Sequence, residues 1–440
     1  MSDPAAQADS AGQGRAYLRL VAYGALIGVP AALVAALFLA FVSLLQGWLW
    51  TDLPDAMGET SPPWYLVIGL PIVGAFVVWL ARRFMPGDGG HNPLGGLSAK
   101  PVPWQYGPSV ALAATGTLVF GAVLGPEAPL IALGSVVGMI VVDKAKVPEP
   151  GRTVLATAGS FSAVSALFGG PLVAGILLLE AGLAAGAALT TALIPGLVAA
   201  AVGYLLFTGL GSWGGLDAVA LTVPNLPTYE GTPIGDLLLA IVVGVVVAIV
   251  VSLVRRLAAG IALGSRGRWV LVLFGGAAAV GVLAQLATLL DVNSQDVLFS
   301  GQASVPAVIA TTSVGTVLVL LAAKAIGYAI CLGNGFRGGP VFPGIFIGVA
   351  TAQIAVVLFD ASPTWAVAVG SAAGMTAGVR LVFASLVLST LLVGSAGFDA
   401  ITSAVLATVA SYLTVTIINQ RFPEHDVTAT AGPDPVPGTA

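Results

Sequence analysis

Charge is what this 440-residue chain has least of: 8% of its residues are Asp, Glu, Lys or Arg, against roughly a quarter in an average soluble domain. So few charges exclude a soluble globular protein and leave no basic patch for nucleic acid. Cysteine is nearly absent too. The single Cys331 excludes an intrachain disulfide framework and a cysteine-based metal site. The two histidines, His91 and His425, have no neighbours at metal-ligand spacing, and no P-loop, nucleophile elbow or HExxH occurs. The expectation is a non-enzyme that needs no metal or cofactor. The N-terminal stretch MSDPAAQADSAGQGR lacks the basic-then-apolar start and cleavage site of a signal peptide, so no cleaved leader is expected.

What is present is hydrophobicity: 57% of the residues are apolar. Long apolar runs such as 16–50, 104–142, 154–207 and 365–418 hold one or two crossings each at about 20 residues per span. The chain reads as an all-α integral membrane protein, multi-pass in the cell membrane. Arg15, Arg19 and the basic pairs Arg82/Arg83, Arg255/Arg256 and Arg266/Arg268 in short connections favour a cytoplasmic N-terminus. A polar Gly/Pro-rich stretch divides the apolar mass nearly in half. The expected organisation is a disordered N-tail 1–14, a first membrane repeat 15–209, a linker 210–234, a second repeat 235–420, and a disordered tail 421–440 rich in Pro, Gly, Ala and Thr.

The halves share a motif. GPEAPLIALG, from Gly125, and GPVFPGIFIG, from Gly339, align without gaps as GPxxPxIxxG, 214 residues apart. Each is followed by a second helix rich in glycine and small residues. Internal repeats with Gly/Pro-interrupted helices in matching places point to a transporter whose site lies between the halves. Lipid forbids unpaired backbone groups, so a helix broken inside the membrane must line a cavity or be buried in protein. The free N–H groups and positive dipole end of such a helix favour an anion.

Acidic residues number twenty, and Glu127, Glu180 and Asp88 are those that fall where membrane-embedded structure is expected; Lys324 is the matching cation. An ionisable group in a span costs about 2.5 to 3.5 kcal/mol on insertion scales, which makes each a functional candidate. Glu127 opens an apolar helix between two prolines. There it either caps the helix end or acts as a tethered anion that leaves when protonated. Glu180 ends an apolar run and marks either a helix end or a functional acid. Asp88, in MPGDGGHNP, is a turn aspartate or a functional one, and Lys324 is a structural counter-charge or a snorkelling side chain.

Three segments carry a resemblance. GPEAP is similar to the GxEGP motif of the CLC family of chloride channels and chloride/proton antiporters, and SALFGGPLVAGILLLE to that family's AxFxxPLxGxLFxxE. KAIGYAICLGNGFRGGPVFPGIFIG is similar to its basic-residue, cysteine and GGxFxP stretch. The resemblance spans about 16–421. It implies an inverted repeat of about 16–18 tilted and broken helices, a homodimer, and transport of chloride or another small anion together with protons. It implies a gate at Glu127, a matching acid at Glu180, and anion-binding positions at Asp88, Gly89, Gly90, Gly125, Ala128, Gly339, Val341 and Phe342; Asp88 or His91 is the candidate for an intracellular proton step of a different kind.

The chain departs from the family pattern at several places. The family's central-site serine falls on Asp88 or Gly90, according to register, and neither has a hydroxyl. Its pair of consecutive backbone donors falls on Pro340 and Val341, and proline lacks an N–H. A second relaying glutamate is replaced by Ala181, and the C-terminal tyrosine has no counterpart. Proton-coupled exchange is the first reading; a passive anion channel gated by Glu127 and a non-conducting sensor or assembly protein are the alternatives.

Overall fold

The computed structural model describes residues 4–98, 100–149, 151–182, 187–216 and 221–423. It is helical, with no strand longer than a single bridge among the described residues. The first half holds α1 (Pro4–Gly47), α2 (Leu53–Ala56), α3 (Trp64–Phe84), α4 (Gly107–Leu118), α5 (Glu127–Ala145), α6 (Gly151–Phe168), α7 (Pro171–Ala181) and α8 (Ala187–Thr208). The second half holds α9 (Ile234–Gly264), α10 (Trp269–Thr288), α11 (Ser294–Val297), α12 (Val305–Ile309), α13 (Val314–Gly333), α14 (Val341–Phe359), α15 (Pro363–Val379), α16 (Phe383–Val393) and α17 (Ile401–Arg421). Among the described residues, nine helical stretches are long and apolar enough to cross a membrane.

Of the two expected tails, one overlaps α1 and the other lies out of view. α1 begins at Pro4, and its membrane-spanning stretch begins at Gly14. Residues 424–440, most of the expected C-terminal tail and His425 with it, lie outside the described residues.

The chain forms two compact units. One comprises Met1–Leu39, Ser98–Gly107 and Leu130–Val219; the other comprises Ala40–Leu97, Pro108–Pro129 and Ala220–Ala440. Within the first, α5 and α6 pack at glycines: a Cβ on Gly134 would overlap the Gly159 carbonyl, and one on Gly138 the Leu155 carbonyl. Within the second, α14 and α15 do the same, Gly348 against the Gly370 carbonyl and Gly344 against that of Gly374. Gly134 and Gly348 occupy the same place in the shared motif. Small residues let backbones approach, and in an apolar medium that packing drives helix association.

The part of the linker at 221–233 is stitched to the second unit. Val223 N–H donates to the Leu392 carbonyl (2.8 Å) and Tyr229 N–H to that of Ala396 (2.8 Å).

Candidate functional site

The second unit contains both GPxxP segments, and they meet there. α4 ends at Leu118 and α13 at Gly333, and each is followed by a glycine in the left-handed region, Gly121 (φ 88°) and Gly335 (φ 106°). Such a φ favours glycine, and it turns the chain so that the next four residues run back toward the start of α5 or α14. The two returning segments then bond to each other. Gly125 N–H donates to the Gly339 carbonyl (2.8 Å) and Gly339 N–H to that of Gly125 (2.6 Å). Val123 N–H donates to Cys331 Sγ (3.2 Å), and Arg337 N–H donates to Thr117 Oγ1 (3.1 Å). Val123 and Arg337 are matching positions of the repeat, as are Thr117 and Cys331, so these bonds are reciprocal. The contact is a local pseudo-twofold made of hydrogen bonds.

Glu127 breaks that symmetry. Its carboxylate is fully buried, and its Oε1 accepts Val341 N–H (2.5 Å) and Phe342 N–H (3.1 Å), the first free amides of α14. Its Oε2 has no partner among the described residues. A Cβ on Gly125 would overlap Oε2, and one on Gly339 would overlap the carboxyl carbon. The motif glycines are therefore what lets the carboxylate lie between the two segments. The helix dipole and two amide donors stabilise a negative charge at this spot.

The donor pair is not the one expected from sequence. Pro340 supplies none, but the pair is complete one residue on, at Val341 and Phe342, because α14 begins at Val341 with proline just ahead of it. Proline at a helix start leaves the following amides free. The Pro340 carbonyl accepts from the buried hydroxyl of Tyr328 on α13 (3.3 Å). Gly125, Gly339, Val341 and Phe342 thus surround Glu127, and Ala128 follows it in the first turn of α5.

Asp88 is neither a turn cap nor an isolated acid. It stands in the left-handed region (φ 50°) in the break after α3, and its carboxylate lies between two guanidinium groups. Arg82 Nε donates to Oδ1 (2.7 Å) and Nη2 to Oδ2 (3.3 Å), while Arg337 Nη2 donates to Oδ2 and its Nε to the Asp88 carbonyl (2.9 Å). Gly89 N–H donates to Ser109 Oγ on α4 (3.0 Å), so a hydroxyl does reach this break, from another helix. Gly90 closes a turn on Gly87 (2.9 Å). His91 is exposed just beyond.

Lys324 does not snorkel: it is fully buried, and its Nζ donates to the carbonyls of Asp296 (2.9 Å) and Leu298 (2.6 Å) and lies 4.7 Å from the Phe346 ring centroid. It stitches α13 to the segment around α11. Glu180 lies half-buried near the end of α7, in the first unit, with Ala181 closing the helix. Among the described residues no cluster of His, Cys, Asp and Glu could hold a metal. Sequence reasoning missed Arg337, Ser109 and Tyr328. Arg337 was the one with a signal, a lone cation inside a Gly-rich apolar stretch.

A multi-pass helical fold with an acid seated on the free amides of a broken helix defines a membrane protein of the anion-transport class. The family model described as voltage gated chloride channel matches residues 73–416, and the chain belongs to that family. It is 28% identical to the H(+)/Cl(-) exchange transporter ClcA of Klebsiella pneumoniae, over 84% of this chain and 80% of that one. It is 29% identical to the putative ion-transport protein YfeO of Shigella boydii, over 74% and 76%. Among solved structures, a slow cyanobacterial Cl-/H+ antiporter superposes with a TM-score of 0.74 at 17% identity, covering 93% of this chain and 96% of that one. A CLC-type fluoride/proton antiporter superposes with a TM-score of 0.68 at 20% identity, covering 90% and 95%. The last two share the fold.

Proposed function

We propose that this protein exchanges a small inorganic anion, chloride in the simplest case, for protons across the cell membrane, with Glu127 as the protonatable gate. The observation that carries this reading is the double hydrogen bond from Val341 and Phe342 to one oxygen of Glu127. Ionised, the carboxylate holds the amides that would hold an anion. Protonation at the unpartnered Oε2 removes its charge, weakens its hold on those amides and frees them, and the same carboxyl then carries a proton. Anion and proton occupancy are thereby made mutually dependent, which is what exchange requires. Similarity to an H(+)/Cl(-) exchange transporter supports the coupling.

Reconstitution in proteoliposomes tests it. A chloride gradient should drive protons uphill in the opposite direction to that in which it would collapse, and Glu127→Gln should carry anion without protons. Chloride flux with no proton movement in the unaltered protein would instead establish a passive channel. That second reading is favoured by Ala181, which places no acid after Glu180 at the end of α7. Replacing chloride by fluoride in the same assay assigns the anion. The working unit is a homodimer packed through exposed apolar faces in the second part of each repeat, such as Ile194 and Leu205 on α8 and Val405, Val409 and Leu413 on α17, which crosslinking in mild detergent checks.

A further inference from the structure

Lys324, Tyr328 and Cys331 interrupt the apolar second half of α13. Spacings of four and three residues put them on one face of the helix, and all three are fully buried. Each holds a different piece of main chain. Lys324 donates to the carbonyls of Asp296 and Leu298, Cys331 Sγ accepts from Val123 N–H, and the Tyr328 hydroxyl donates to the Pro340 carbonyl (3.3 Å).

A buried tyrosine hydroxyl finds some partner as a rule, but this partner belongs to the site. The Pro340 carbonyl and the Val341 N–H are the two ends of one peptide group. That N–H is the nearer of the two that Glu127 Oε1 accepts, at 2.5 Å against 3.1 Å for Phe342. Hydroxyl, peptide group and carboxylate therefore form one chain, O–H to O=C–N–H to Oε1. A hydrogen bond accepted at a carbonyl draws electron density toward its oxygen through the conjugated C–N bond and makes the N–H at the other end a stronger donor. The bond that the Pro340 carbonyl accepts within α14, from Gly344 N–H, is long (3.4 Å), so the hydroxyl matters to its polarisation. The first repeat has no equivalent. The position matching Tyr328, 214 residues earlier, is Ala114, which has no hydroxyl to offer the peptide ahead of Glu127.

We propose that Tyr328 is a positioning residue of the gate: through the Pro340–Val341 peptide group it sets how firmly α14 holds the Glu127 carboxylate, and so the pH at which the carboxylate lets go. This rests on the reading of Glu127 as the gate. The other charged or titratable groups around it are Arg255 of α9, bonded to the carbonyls of Gly378 and Leu94 (both 3.3 Å), Asp296 of α11, Lys324 and Cys331 on α13 itself, and the Arg82–Asp88–Arg337 cluster. α10, α12, α14 and α15 contain no titratable side chain. None of these groups is altered when the hydroxyl is removed.

Tyr328→Phe deletes the hydroxyl and keeps the ring. The ionised carboxylate then loses more than the neutral acid does, so Glu127 takes up its proton at a higher pH. The midpoint of the pH profile of chloride flux in proteoliposomes should move upward by roughly 0.2–0.7 pH unit, the order that a change of about 10–30% in one charge-assisted bond gives. 3-Fluorotyrosine at position 328, a stronger donor of almost the same size, should move it downward. A merely structural role moves both variants the same way or moves neither. Infrared titration in detergent, read on the carboxylic-acid band that Glu127→Gln removes, should show the same two opposite shifts without transport. Should Tyr328→Phe fail to fold, the fluorotyrosine protein still carries the test. A midpoint unmoved by either substitution, or moved in the same direction by both, would overturn the proposal. Failure of the gate reading has a different signature, a pH profile that survives Glu127→Gln.

Discussion

The segments at 121–127 and 335–341 have the same backbone and opposite chemistry. Matching positions make matching bonds: Val123 to Cys331 and Arg337 to Thr117, Gly125 to Gly339 and back. The side chains then part company. The first segment has an apolar residue at Val123 and the acid at Glu127, whereas the second has the base at Arg337 and an apolar residue at Val341. The first repeat contributes the acids, and the second contributes partners that hold them: two amides for Glu127 and, beside Arg82 of the first repeat, the Arg337 guanidinium for Asp88. A symmetric pair of helix starts would offer the same groups at both ends; the asymmetry seats one carboxylate on the amides of α14 alone.

The strongest way to break this comparison is to move the acid. Glu127→Val should cut proton-coupled flux by at least about tenfold, the order expected for loss of a proton-carrying group. Adding Val341→Glu to it should restore part of the pH dependence, because the acid then faces the start of α5. Flux that keeps its unaltered pH profile in Glu127→Val would remove Glu127 from the mechanism altogether.

Next come the glycines that make room for the carboxylate. Gly339→Ala and Gly125→Ala each place a methyl on the Glu127 carboxyl group, so both should displace it from the amides of α14 and imitate Glu127→Gln. Two charge-assisted bonds are lost, each worth roughly 1.5–3 kcal/mol. The checks are pH dependence in proteoliposomes and unfolding in detergent; an unchanged pH profile would mean that the carboxylate sits elsewhere in the working protein.

Smaller effects are expected at the helix contacts. Gly134→Ala and Gly348→Ala put the same atom into the same kind of interhelical contact, α5 on α6 and α14 on α15, and each should cost about 1–3 kcal/mol by overpacking. Thermal unfolding that falls for one and not the other would show that the two halves are packed differently despite the motif. Smallest of all is Arg152→Ala. Its pair with Asp143 (2.6 Å) joins the ends of α5 and α6 where both side chains are about one-third exposed, so the loss should stay under about 1 kcal/mol.

The sequence by itself determined the class. A chain this apolar can satisfy its backbone in lipid only as helices, and an acid between prolines at the head of an apolar helix has few structural uses. The resemblance set Glu127, Gly339, Val341 and Phe342 in one site, and the amides of Val341 and Phe342 are where the Glu127 carboxylate lies. The resemblance to CLC proteins was carried by short motifs that survive because glycine and proline fix backbone geometry wherever they stand.

Tertiary structure decided the partners of the remaining charges. Asp88 and Arg337 are 249 residues apart, and nothing in the local pattern of either says that a guanidinium from the second half neutralises an acid in the first. Pro340 looked like a lost donor, because the register of a helix start is set by where α14 begins rather than by motif position. Lys324 is held by two main-chain carbonyls, those of Asp296 and Leu298, which carry no sequence signal at all. A buried charge is solved by whichever groups the fold brings within hydrogen-bond distance, and that distance is a property of the packed chain.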